Sequence, residues 1–167
     1  MFSYVADFLA ELRAVGRDRL GREVLHPVLV LQGVTGTLRE PQRSGTVVTD
    51  PNDTVTLTRL VGRVFPLVRR RDSPPGPIVV GRSAQTDVAI ADYSISNRHC
   101  SFTLGGKEVQ LVDLGSTNGT LVDGKPLASR APAHLVGGET VVLGRFAFRF
   151  FRPAGFLDYL IEQLSGA

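Results

Sequence analysis

A chain of 167 residues, 43% hydrophobic and 21% charged, has the composition of a soluble globular protein and excludes collagen, coiled coil and wholesale disorder. Its formal charge of +3 comes from 17 arginines and two lysines, Lys107 and Lys125, against 16 acidic residues, too small an excess to imply nucleic acid by itself. One cysteine, Cys100, excludes an intramolecular disulfide and every zinc site that needs more than one thiolate, and a reducing cytoplasm is the expected location.

The first element in chain order is an amphipathic helix. Phe2, Val5, Phe8, Leu9, Leu12 and Val15 recur at spacings of three and four, with Asp7, Glu11, Arg13, Arg17 and Asp18 largely elsewhere. No basic segment precedes it, and no apolar run reaches the ~20 residues of a membrane span, so neither a secretory signal nor a membrane association is expected. Residues 1–32 are assigned to an N-terminal helical extension. Residues 33–54, rich in Gly, Pro, Ser, Thr and Asp, read as a linker.

From Val55 the pattern changes to short stretches of strand length separated by turn signals: TVTLTRLV, VFPLV, IVVG, DVAI, HCSFTL, VQLVDL, GTLV, TVVLG and FAFRFF. Several alternate apolar and polar residues, and Gly105-Gly106, Asp123-Gly124 and Gly137-Gly138 mark breaks. This spacing predicts an antiparallel β-sandwich over residues 55–151. The proline-rich DSPPGP at 72–77 is an extended loop between strands. Residues 152–167 form a C-terminal helix, introduced by Pro153, with Phe156, Leu157, Leu160, Ile161 and Leu164 in helical register. The simpler expectation is that the terminal helices pack on each other or on the domain body; the sharper one is a partner surface or self-association through them.

Polar groups that would be costly inside a sandwich accumulate in three loops: Gly81-Arg82, Ser96-Asn97-Arg98-His99, and Gly115-Ser116-Thr117-Asn118-Gly119-Thr120. If one end of the sandwich gathers them, they make a single site. A guanidinium fork, two hydroxyls and glycine-bounded backbone N–H groups match a doubly charged tetrahedral oxyanion, and Asn97 and Asn118 offer the donor and acceptor pairs that grip an extended peptide. The implied ligand is a phosphorylated peptide.

The ordered set Gly81-Arg82, Ser96-Asn97-Arg98-His99, Ser116-Thr117-Asn118-Gly119-Thr120 and Asp123-Gly124, flanked by FPL, DVAIAD and VVLG, resembles the forkhead-associated (FHA) domain of bacterial signalling proteins. The resemblance implies an eleven-stranded sandwich that binds phosphothreonine as an adaptor in Ser/Thr-kinase signalling, its partners a phosphothreonine protein and the kinase or its substrate. It implies that Arg82 and Ser96 bind phosphate with Thr117 adding a contact, that Asn118 and Asn97 hold the peptide, and that Gly81, His99 and Gly119 shape the site, with Arg98 as a possible further contact. Asn97 stands where many members carry arginine.

The competing readings are weaker. Ser96, His99 and Asp113 could be imagined as nucleophile, base and orienting acid, but there is no Gly-x-Ser-x-Gly elbow and His99 directly precedes a strand, so no enzyme is expected. His26, His99 and His134 share no ligand spacing, and no metal or cofactor is expected. Arg69-Arg70-Arg71 lacks the interleaved aromatics of a nucleic-acid surface. A phosphate-independent scaffold using the sandwich and terminal helices is the main alternative. Thr35, Thr37, Thr46, Thr49 and Thr54 raise the idea of a phosphorylated linker docking on its own domain, against the simpler reading of ordinary loop threonines.

Overall fold

The computed structural model describes residues 3–34 and 59–166. Two helices, α1 (Val5–Val15) and α2 (Arg17–Glu23), lead into eleven strands: β1 (Val28–Val34), β2 (Val64–Pro66), β3 (Ile78–Gly81), β4 (Val88–Ala89), β5 (Cys100–Leu104), β6 (Val109–Asp113), β7 (Thr120–Val122), β8 (Lys125–Pro126), β9 (Pro132–Leu135), β10 (Thr140–Leu143) and β11 (Phe146–Phe151). Helix α3 (Pro153–Ser165) follows. The strands form a six-stranded sheet in the order β2-β1-β11-β10-β7-β8 and a five-stranded sheet in the order β4-β3-β5-β6-β9. The pairings within these sheets are antiparallel except for β3 with β4, where Val80 and Gly81 run parallel to Val88 and Ala89. The fold is therefore mainly β with terminal helices, and the wholly antiparallel expectation is corrected at this one edge.

The helical reading of residues 1–32 stops at Glu23. Val28–Val34 is a strand held between β2 and β11, with Val28 opposite Phe151 and Val30 opposite Arg149. Its VLVL run is the reason: four consecutive apolar residues suit a strand buried on both faces, without the alternation that marks a half-exposed one. Leu29 and Leu31 enter the sandwich interior with Phe65, Phe102, Phe146, Phe148 and Phe150. Val28 and Val30 point the other way, into a second core with Phe8, Leu12, Leu20, Val64, Phe151, Phe156 and Leu160. Of the stretch TVTLTRLV at 54–61 read as a strand, residues 59–61 form a turn; residues 55–58, the linker remainder 35–54 and its threonines lie outside the described residues.

The helices thus form a third layer on the six-stranded sheet. Phe8 meets Phe156 edge to face at 5.1 Å between ring centroids, and Arg17 pairs with Asp158 at 2.8 Å. The apolar stripe that self-association would need is used within the chain. Among the described residues no helix is long and apolar enough to cross a membrane.

Phe156 is fully buried yet lies outside the strands. Replacing it with alanine is expected to lower stability by about 3–5 kcal/mol, read as one shifted urea transition for helices and sheets together. An unchanged main transition would show the helices to be an independent appendage.

Candidate functional site

The three loops meet at one end of the sandwich, because β3 ends at Gly81, β5 begins at Cys100 and β6 ends at Asp113 in adjacent places of the five-stranded sheet. Backbone bonds fix the middle loop: Arg82 N–H donates to the Ser96 carbonyl at 2.9 Å and His99 N–H to the Val80 carbonyl at 2.9 Å. The approach is so close that a Cβ on Gly81 would lie 2.2 Å from the Asn97 carbonyl oxygen. Only glycine fits there.

The third loop is folded by a carboxylate. Asp113 is 4% exposed. One of its oxygens accepts the Gly115 and Ser116 N–H groups at 2.8 and 2.9 Å, and the other accepts the Ser116 and Thr120 hydroxyls at 2.6 and 2.7 Å. Burial alone would raise its pKa, but the Ser116 and Thr120 hydroxyls and the two backbone donors outweigh it and hold the group below the usual range. Ser116 Oγ then accepts Gly119 N–H at 3.0 Å, and Gly119 turns with φ 82°.

The loops are tied to one another by three contacts. Thr117 N–H donates to Ser96 Oγ at 3.0 Å, which leaves the Ser96 O–H as a donor. Asn118 Nδ2 donates to the Ser94 carbonyl at 2.9 Å, which leaves its Oδ1 as an acceptor. His99, fully buried, accepts Ser96 N–H on Nδ1 at 3.1 Å, and its Nε2 lies 3.0 Å from the Gly119 carbonyl. The first contact requires an unprotonated Nδ1, so the Nε2–H tautomer donates to Gly119. Both ring nitrogens face backbone, and neither faces the Ser96 hydroxyl as a nucleophile's base would.

Arg82 lies exposed at the mouth of this arrangement, its Nε and Nη2 each 3.3 Å from Asn97 Oδ1. Among the described residues it has no carboxylate partner, whereas Arg17, Arg70 and Arg145 each have one. Thr117 is also exposed. Arg98 lies aside, lining a depression with Thr86, Asp87 and the 73–77 loop. Arg69 and Arg70 hold that loop by bonds to the Ser73 and Ala84 carbonyls and to Asp72.

Sequence reasoning did not single out the support beneath Ser96. Asp92 and Arg145, 8% exposed each, form an ion pair at 2.5 Å, and Asp92 also accepts the Ser94 N–H and hydroxyl at 2.9 and 2.6 Å. Burial opposes the charge on Asp92, but the Arg145 and Ser94 donors prevail and lower its pKa. Tyr93 covers the Arg145 guanidinium, 4.4 Å from ring centroid to carbon. The signal available in the sequence was the D-Y-S triplet two residues before the loop serine.

Burial lowers the His99 pKa, against the opposing pull of the Gly119 carbonyl and the Asp113 charge. A lowered folded value means that below the unfolded pKa of about 6.5 the unfolded chain takes up a proton that the fold refuses. Stability is therefore expected to be full above pH 6.5 and to fall as the pH drops from about 6.5 to the folded value. Nitrogen NMR of the imidazole should show the Nε2–H form at neutral pH and a midpoint below 6.5; an Nδ1–H form or a raised midpoint would overturn the assignment.

The FHA domain family model matches residues 78–144. Over 70 residues the chain is 41% identical to the glycogen accumulation regulator GarA of Mycolicibacterium smegmatis, a span of 42% of this chain and 42% of that protein. It is 34% identical over 70 residues to the oxoglutarate dehydrogenase inhibitor of Corynebacterium efficiens, 42% of this chain and 47% of that one. The match thus spans less than half the length of these curated relatives. The crystal structure of the FHA domain of the CT664 protein from Chlamydia trachomatis superposes with a TM-score of 0.51 at 22% identity, covering 76% of this chain and 97% of that one, a likeness of fold. The FHA domain match of residues 78–144 thus falls on the strands that carry the three loops, and the relatives similar over this span are bacterial.

Proposed function

We propose that this protein binds phosphothreonine-containing peptides and works as a non-catalytic adaptor in Ser/Thr-kinase signalling. The observation that carries the reading is the exposed Arg82 guanidinium, oriented by Asn97 and without a carboxylate partner among the described residues, on the residue whose backbone N–H bonds the Ser96 carbonyl. A cation whose Nε–Nη2 edge is held by Asn97 and whose Nη1–Nη2 edge faces outward for a ligand suits a phosphate dianion. Thr117 stands at the same mouth, and Asn118 Oδ1 is an acceptor for a peptide N–H. Gly81, His99 and Gly119 act on the ligand only through the shape of these loops. Arg98, on the flank, would reach residues away from the phosphate.

Two relatives carry regulatory names, a regulator and an inhibitor, which supports regulation over catalysis. The partner is a protein phosphorylated on threonine by a kinase of the same compartment. A phosphate-independent scaffold finds less support, because the helical faces it would use are packed inside the chain.

The test is titration with phosphothreonine, phosphoserine and unphosphorylated versions of peptides from an oriented library. Affinity near the micromolar scale is expected for phosphothreonine. Arg82→Ala should lose about 2–5 kcal/mol of binding with its urea transition unchanged. Gly81→Ala should weaken binding as well, by forcing the Asn97 backbone away. Equal affinity for the unphosphorylated peptide would establish the scaffold instead.

A further inference from the structure

Across the end of the five-stranded sheet the loops follow the strand order: Arg82 after β3, Ser96 before β5, Thr117 after β6, and then Arg130 before β9. Arg130 is anchored to the residue that folds the binding loop, its N–H donating to the Asp113 carbonyl at 2.9 Å. Ser129 beside it packs toward Gly115, with its Oγ 3.7 Å from where a Cβ on that glycine would lie. Ala131 N–H closes a turn on the Ala128 carbonyl, and Arg130 occupies the turn position with φ 64°. That left-handed position favours glycine or asparagine, and a long side chain there is held at a cost in strain.

Charge adds a second, independent observation. At this end Asp92 is held by Arg145 and Asp113 by its own loop. Arg82 and Arg130 are both exposed and have no carboxylate partner among the described residues, whereas Arg98 lies aside in a depression with Asp87. A bound phosphothreonine, with a charge of about −2, is answered at Arg82 on the β3 side, and Arg130, three places along the sheet at β9, keeps its own charge for a second group. Neighbouring strands lie about 4.8 Å apart and an extended peptide rises about 3.3 Å per residue. A side chain one or two residues from the phosphothreonine therefore comes within reach of the β9 end.

We propose that Arg130 is a specificity residue that selects an acidic side chain within two residues of the phosphothreonine. The inference rests on the phosphopeptide reading of the site. The probe is a phosphothreonine peptide flanked by alanines, with four variants that each carry one aspartate at one of the two positions before or the two after it. For the wild type, at least one aspartate is expected to tighten binding by about three- to five-fold at low salt, a gain typical of an exposed ion pair and lost at high salt.

Arg130→Gln should remove that gain and leave binding of the all-alanine peptide within about two-fold. Arg130→Gly should also remove it while unfolding at an equal or higher urea concentration, because glycine relieves the backbone; a merely structural arginine would not separate the two readouts. An aspartate gain of the same size in wild type and Arg130→Gln, or no gain at any position, would overturn the inference while leaving the site reading intact if the all-alanine phosphopeptide still needs Arg82. Absence of any phosphate-dependent binding would overturn both.

Discussion

A carboxylate excluded from water must have its oxygens supplied with donors, and at Asp113 every one of the four comes from the seven residues that follow it. That requirement sets the path of the chain from Gly115 to Thr120. The path in turn brings Thr117 N–H to Ser96 Oγ and the Gly119 carbonyl to His99. His99 passes the constraint on to Ser96 N–H, and the backbone bond between Arg82 and Ser96 carries it to the first loop. The exposed groups are thus held in place by the fold itself, which for the phosphopeptide proposed above would lower the ordering cost of binding.

Beneath that arrangement lies the Asp92–Arg145 pair. A buried ion pair is weak as a source of stability and costly to break from one side. Its use here is positional, since Ser94 is bonded to Asp92 by its N–H and hydroxyl, its Oγ accepts the Arg145 N–H, and its carbonyl receives the Asn118 amide. The turn into β11 closes on the same residue, because a Cβ on Gly144 would fall 2.4 Å from the Ser94 carbonyl oxygen. Two loops and a sheet corner are therefore registered against one serine.

The three site loops were legible because their chemistry is local: glycines, hydroxyls and amides crowded where a plain two-residue turn would have sufficed. Most of the strands were legible too, from short apolar runs between turn signals. What escaped depended on partners distant in sequence. Val28–Val34 becomes a strand because β2 and β11 flank it and helices cover its outer face, and a VLVL run carries no period that reveals this. Strand β9, PAHL, has one buried side chain in four, too little pattern to mark it. Strand β8 is two exposed residues. Asp113 stood out as a possible orienting acid, but its neighbours in space make it the clasp of its own loop.

The position of β1 also bears on how the molecule is made. In the six-stranded sheet β1 touches β2 on one side and β11 on the other, so its larger pairing waits until residue 151 has been synthesised. Until then Leu29 and Leu31 have no Phe148 or Phe150 to meet, and a long apolar strand stands with an open edge, the kind of surface that invites pairing with another chain. Closing it joins segments far apart in sequence, which topology makes slow. The helix that follows β11 directly and covers the outer face of β1 completes the burial in the same stretch of synthesis, so the segments that make β1 safe are made long after it.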